Sequence, residues 1–243
     1  MENLAKTEPA AEFDAFADNY DSELQKGLVL SGEGKDYFAA GRMRWLSSQL
    51  AALGEHPRRA LDFGCGTGSA TPFFFDHLGI ETLVGMDPSE KSLEVARDTW
   101  TAYPVAFSAH LDAADQPPFD LAFCNGVFHH IPREFRAGAL SDIFRNLRPG
   151  GLFAFWENNP WNPVTRYAMH RVPFDRDAIL IWPHEARRLL RAAGFTILRT
   201  DYVFFFPRFA AALRGLEPSL RWLPLGGQYL VLAGKPSALP DHS

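Results

Sequence analysis

The chain has 243 residues, 47% of them hydrophobic, and a formal net charge of −5. That length fits one α/β domain, or one domain with a small cap, and the apolar share supplies a sizeable core and excludes wholesale disorder. A pI near 5.9 weighs against a basic groove for a long nucleic acid.

Cys65 and Cys124 sit in apolar stretches outside any metal-type spacing and read as reduced core thiols. Met1–Lys6 leads into no apolar signal segment. No apolar run nears the roughly 18 residues of a membrane span, so the expectation is a cytoplasmic protein.

Residues 11–53 carry helical spacing: Phe13, Phe16 and Tyr20, then Tyr37, Phe38, Met43, Leu46 and Leu50. Ser31-Gly32-Glu33-Gly34 interrupts them, so two or three helices are predicted, forming an N-terminal helical cap over 1–53. From residue 59 short apolar runs alternate with amphipathic segments. Ala60–Phe63 predicts a buried strand, and Ser69–Leu78 a helix stopped by Gly79. Thr82–Met86 predicts a second strand. Asp87-Pro88 then caps a helix through Trp100, with proline at its first position. Val105–Phe107 and Phe119–Cys124 predict the third and fourth strands. Pro132–Leu147 predicts a helix with Leu140, Ile143, Phe144 and Leu147 on one face. Arg148-Pro149-Gly150 turns into a fifth strand, Leu152–Trp156. Beyond it, Pro183–Ala193 predicts a helix ending at Gly194. Phe195–Phe206 and Gln228–Ala233 predict two strands that pair antiparallel across Pro207–Gly227.

Strands alternating with helices imply parallel βαβ units with right-handed crossovers. Ligands in such sheets bind beyond the carboxyl ends of the strands. That rule directs attention to 64–68, 86–89, 108–112, 125–130 and 157–162.

The first of these is the strongest motif. Asp62-x-Gly64-x-Gly66-x-Gly68 follows a strand and opens a helix, the setting of a glycine-rich ligand turn. Glycine permits positive φ and close ligand approach. A dinucleotide fingerprint counted from Gly64 requires its third glycine at position 69, which is Ser69. Asp87 ends the second strand, where a carboxylate can accept from both hydroxyls of a ribose; it also suits a helix cap. Phe119–Asn125 and Leu147–Gly151 follow in order.

Leu61–Gly68, Gly85-Met86-Asp87, Phe119–Asn125 and Leu147–Gly151 together resemble the class I, Rossmann-like S-adenosylmethionine-dependent methyltransferases. The resemblance covers about residues 55–160. It implies a seven-stranded, mostly parallel sheet with an antiparallel final hairpin, in one domain with its cofactor-binding core at 54–157. It also implies roles. Gly64 and Gly66 lie against the methionine half of S-adenosylmethionine, and Cys65 and Gly68 of the same turn also bind the cofactor. Asp62 orients its amino group, which also meets the Asn125 carbonyl. Asp87 holds the ribose, Met86 and Pro88 flank the adenine, and Asp112 stands near the adenine amine. Tyr20 and Arg42 close over the cofactor, the arginine as a bidentate partner for a carboxylate.

Methyl transfer from a sulfonium is an in-line displacement, so the protein supplies alignment and, for a weak nucleophile, a base. His129 and His130 follow the fourth strand. If helical, neighbours point about 100° apart and do not share one ligand. His130 is the preferred base, since imidazole titrates near neutrality, and a structural role competes with that reading. Gly126 and His129 stand where some quinone-pathway relatives need carboxylates, so no metal is expected. Glu157-Asn158-Asn159-Pro160-Trp161-Asn162-Pro163-Val164-Thr165-Arg166-Tyr167 leaves the fifth strand. Its two Asn-Pro pairs predict an irregular loop. Glu157 and Asn158 are further catalytic candidates. His129, Asn159, Trp161, Asn162, Arg166 and Tyr167 are candidates for the acceptor wall, unless the amides serve their own backbone. Acceptor-side loops or a lid are expected at 158–182 and 203–227, with Phe204, Phe205, Phe206, Arg208 and Trp222 as apolar cover.

The expected activity is methyl transfer from S-adenosylmethionine to an O or C atom of a small molecule, by a monomer or homodimer. The alternatives are an RNA or protein methyltransferase, against which Asn158-Asn159-Pro160-Trp161 only loosely echoes a base-accepting tetrad, and a cofactor-binding protein without turnover.

Overall fold

The computed structural model describes residues 31–111, 117–172 and 178–237. Tyr20, Asp112 and the helices expected before residue 31 lie outside them.

Helix α1, Lys35–Leu53, ends at Gly54 in the left-handed region (φ 71°), whose N–H reaches the Leu50 and Ala51 carbonyls. Strand β1 (Arg59–Phe63) leads through the glycine turn into α2 (Thr71–Leu78), which Gly79 terminates at φ 65°. Then follow β2 (Thr82–Met86), α3 (Glu90–Thr99), β3 (Val105–Ser108), β4 (Phe119–Asn125) and α4 (Arg133–Asn146). Strand β5 (Leu147–Asn158) is followed by α5 (Pro163–Arg171), α6 (Pro183–Ala192) and β6 (Thr196–Val203). A 3-10 segment (Arg208–Leu216) and α7 (Glu217–Leu220) precede β7 (Gln228–Gly234).

The strand order is β3-β2-β1-β4-β5-β7-β6, parallel except for β7, which runs antiparallel to both β5 and β6. The seven-stranded Rossmann-like sheet with its antiparallel final hairpin is therefore present. Helices cover both faces, which is why β4 and β5 read as continuous apolar runs. Leu140 and Ile143 of α4 and Ala186 and Leu190 of α6 pack with Phe63, Phe153, Phe155 and Tyr229 on one face. Met43, Leu46 and Leu50 of α1 and Phe74 of α2 pack with Phe123, Ala154 and Trp156 on the other. Each large apolar side chain so buried contributes roughly 1.5–3 kcal/mol.

Four local expectations need correction. The cap of α3 is Ser89, whose Oγ accepts from the Ser92 N–H, because Asp87 is drawn to the glycine turn. Strand β5 already begins at Leu147, paired with Phe119; Pro149 and Gly150 (φ 76°) form an irregularity inside it. Strand β6 stops at Val203, because Phe204 turns into the left-handed region at φ 63°. The loop expected up to Tyr167 yields to α5. Asn162-Pro163 is an N-cap followed by a first-turn proline, and Asn162 Oδ1 accepts from the Val164 and Thr165 N–H groups.

Asp120 of the fourth-strand motif works at the far end of the sheet. It accepts from the Arg58 and Arg59 N–H groups and from Arg148 Nε at 2.6 Å, tying the starts of β1 and β4 to β5. Burial alone would raise its carboxyl; Arg148 and the two N–H groups hold it below the usual range.

Candidate functional site

The strand order reverses between β1 and β4, the point in such a sheet beyond whose carboxyl ends ligands bind. The glycine turn stands there, after β1. Gly64, Gly66 and Gly68 all take positive φ (75°, 52° and 71°), and their surroundings differ. A Cβ on Gly64 would stand 2.3 Å from Val127 Cγ2, and one on Gly68 would stand 2.8 Å from the Trp100 ring. A Cβ on Gly66 would meet none of the described residues within 4 Å. Gly64 and Gly68 are thus fixed by packing, whereas no described residue crowds Gly66.

The turn is held from below and from both sides. Gly64 and Cys65 donate to the Met86 carbonyl at 2.7 and 3.0 Å. Trp100 Nε1 donates to the Thr67 carbonyl at 2.9 Å. Asp87 accepts from the Gly66 N–H at 2.8 Å and from the Ser89 N–H at 2.9 Å. These bonds use about half of a carboxylate's acceptor capacity and aim the group at the turn. Met86 is half-buried beside it and Pro88 is exposed. The Cys65 thiol stands against Gly85, and burial pushes it up, out of the reactive range.

Asp62 is buried beneath the turn. Burial and then the charge of Asp87 push its carboxyl up to about 7, while Arg42 pulls it down. The fit to S-adenosylmethionine rests on these features. A ligand ammonium beside Asp62 would add to the counter-charge of Arg42, which burial and Asp87 outweigh, and Gly66 leaves room for close approach. Asn125 Oδ1, at the end of β4, is buried with no hydrogen-bond partner among the described residues.

Arg42 lies on α1, where its Nη1 donates to Gln228 Oε1 at 3.0 Å; Gln228 Nε2 in turn donates to Asn158 Oδ1 at 3.1 Å. This chain joins α1, β7 and β5. On the other side of β5, His129 Nδ1 and Glu157 Oε2 are 2.6 Å apart, and the His129 N–H donates to Glu157 Oε1 at 3.3 Å. Both side chains are buried. Residues 128–130 form a turn rather than a helix, so the rings of His129 and His130 do not diverge; their centroids are 4.1 Å apart. His129 is the buried member of the two and His130 is half-buried.

The acceptor-wall candidates are dispersed. Asn159 is buried, and its amide donates to the Pro224 and Gly226 carbonyls while its Oδ1 accepts from the Trp161 N–H. Asn162 caps α5 and donates to the Leu225 carbonyl. Both amides therefore serve backbone. Trp161, Arg166 and Tyr167 are exposed, Trp161 edge-on to Trp182 and Tyr167 accepting from Arg171. Sequence reading missed Trp100, Val127, Ser89 and Gln228. Only Gln228, a polar residue opening an apolar strand, carried any signal. Among the described residues no three His, Cys, Asp or Glu side chains group as a metal would need, and no helix is long and apolar enough to cross a membrane.

A sheet of this order is the Rossmann-like fold of solved S-adenosylmethionine-dependent methyltransferases, such as one from Archaeoglobus fulgidus that shares it at TM-score 0.55 and 17% identity, over 79% of this chain and 94% of that one. Residues 61–153 match the family model described as a methyltransferase domain. Among curated relatives, the chain is similar to trans-aconitate 2-methyltransferase of Rhizobium etli, 34% identical over 40% of this chain and 35% of that one. It is also similar to the Rhizobium rhizogenes enzyme of the same name, 28% identical over 67% of this chain and 70% of that one. Its matches thus span 35% and 41% of the Rhizobium etli and Acidovorax relatives' own lengths. Among solved structures, magnesium protoporphyrin IX methyltransferase of Synechocystis shares the fold at TM-score 0.57 and 19% identity, over 96% of this chain and 100% of that one.

Proposed function

We propose that this protein transfers a methyl group from S-adenosylmethionine to an oxygen or carbon of a small molecule, and that carboxylic acids are the first acceptors to try. The observation that carries the reading is the Gly66–Asp87 arrangement: a carboxylate locked onto the turn's backbone beside Gly66, the glycine of the 64–68 turn on which an added Cβ would meet no described residue within 4 Å.

In this reading Gly66 admits the methionine half, Asp62 meets its ammonium, Arg42 its carboxylate, and Asp87 the ribose. Met86 and Pro88 flank the base. Bound there, S-adenosylmethionine supplies a methyl group on a cationic sulfur, ready for displacement. The chain's own residues align the acceptor and move a proton where one must move. Glu157 fixes His129, and His129 backs the ring of His130, which is placed to take a proton from a hydroxyl acceptor. A carboxylate acceptor is already ionised at neutral pH and needs no base. The relatives named for trans-aconitate favour that second class.

The test is transfer of a radiolabelled methyl group to pools of di- and tricarboxylic acids, quinols, sugars and RNA. Label in the acid pool supports the reading. Label in RNA alone, or tight S-adenosylhomocysteine binding with no transfer to any pool, overturns it.

A further inference from the structure

We infer that the face formed by α5 and the excursion between β6 and β7 docks on a membrane surface carrying anionic phospholipid. The excursion, Arg208–Leu220, contains no buried residue, yet it is rich in large apolar side chains. Phe209 is 90% exposed and Trp222 70%, with Leu213, Leu216 and Leu225 also exposed. Trp161, Val164 and Tyr167 expose a second apolar row at the start and along the outside of α5. The two rows adjoin. Asn162 donates to the Leu225 carbonyl at 2.7 Å, Thr165 Oγ1 to that of Gly227 at 2.9 Å, and Asn159 to those of Pro224 and Gly226. Exposed apolar groups gathered in this way mark an interaction surface rather than ordinary scatter.

Charge selects the partner. The chain as a whole is acidic, at −5, but this face is basic. Residues 158–171 contain no acid and carry Arg166, His170 and Arg171. Residues 204–227 carry Arg208, Arg214 and Arg221 against one acid, Glu217. Glu217 is turned inward onto the Phe205 and Phe206 N–H groups, Glu33 offsets Arg214, and the buried Asp201 lies 4.0 Å from Arg221, whose side chain is still half exposed. Aromatic and leucine side chains interleaved with arginines suit the headgroup boundary of a bilayer, where the apolar parts enter and the guanidinium groups stay at the phosphates. The inference is independent of the cofactor reading, because no residue of the glycine turn contributes to it.

The experiment is vesicle flotation of the full chain with phosphatidylcholine alone and with phosphatidylcholine mixed with phosphatidylglycerol. The protein is expected to float with the mixed vesicles and far less with the neutral ones, and added salt is expected to release it. Arg208→Gln with Arg221→Gln is expected to weaken mixed-vesicle binding by about 25-fold, taking about fivefold per arginine. Phe209→Glu with Trp222→Glu is expected to abolish it, with an unchanged circular dichroism spectrum showing the fold intact. The salt response of the unaltered protein stands even if a variant fails to fold. Absence of binding to mixed vesicles overturns the inference. So does a concentration-dependent dimer in light scattering that Phe209→Glu dissolves, which would assign the face to a second copy.

Discussion

His129 and Glu157 are joined twice, through the imidazole Nδ1 at 2.6 Å and through the His129 backbone N–H at 3.3 Å. The double bond fixes both the turn after β4 and the ring it carries. Removing one member of a buried pair leaves the other uncompensated, at about 3–5 kcal/mol. Glu157→Ala is expected to lose stability on that scale in urea unfolding. Glu157→Gln, which keeps an acceptor for the imidazole N–H, is expected to lose much less. Should both variants lose the same amount, the pair does not hold the turn.

His130 tests the acceptor class. With a hydroxyl acceptor, His130→Ala is expected to lower kcat roughly 100-fold. With a carboxylate acceptor kcat is expected to stay near that of the parent. Measuring both acceptor types with one variant separates a base from a wall residue.

The glycines of the turn are expected to fail differently. Gly64→Ala meets Val127 and an unfavourable φ, so it is expected to cost at least about 2 kcal/mol in folding. Val127→Ala in the same chain is expected to recover part of that. Gly66→Ala carries only the φ penalty, about 1 kcal/mol, and is expected to weaken S-adenosylhomocysteine binding more than tenfold by calorimetry. Normal binding by Gly66→Ala would remove this glycine from the cofactor site.

Asp62 links the site to pH. Its folded carboxyl titrates at about 7 against an ordinary value of 3.8. Between these values the folded state holds a proton that the unfolded state has released. Stability of the ligand-free protein therefore falls as pH rises through this window, by roughly 4 kcal/mol in all. Asp62→Asn is expected to flatten that slope in melts from pH 4 to 7. Binding of S-adenosylhomocysteine, whose ammonium favours the ionised form, is expected to release protons near pH 6, visible in calorimetry across buffers. Proton uptake would place the ammonium elsewhere.

Asp87 carries two burdens, and its loss is expected to show both. Asp87→Ala strands the Gly66 and Ser89 N–H groups, at roughly 1–3 kcal/mol of stability, and is expected to weaken S-adenosylhomocysteine binding by tenfold or more. If the variant binds as tightly as the parent, the ribose site has been misplaced.

The turn, the strands and the class were legible because glycine spacing and apolar runs are local signals. Ser89 was hidden by Asp87-Pro88, which satisfies the same capping rule two positions earlier; only the competing bond to Gly66 decides between them. The helix α5 was hidden because Asn-Pro marks a turn and a helix start alike. Asn159 and Asn162 were chemically plausible pocket amides, but their partners at 224–226 come from a distant part of the chain. The pairing of His129 rather than His130 with Glu157 depends on a turn geometry that spacing does not encode.

Phe204 stands at φ 63°, its ring pressed into the space where Gly41 lacks a Cβ: an added carbon there would lie 2.6 Å from the ring. Anyone replacing the excursion between β6 and β7 inherits that joint. The stretch 204–227 cannot be exchanged as a self-contained cassette, since its first residue is keyed to the helix that carries Arg42. A transplant that brings its own side chain at 204 must bring a matching position 41 with it, or the new excursion will displace α1.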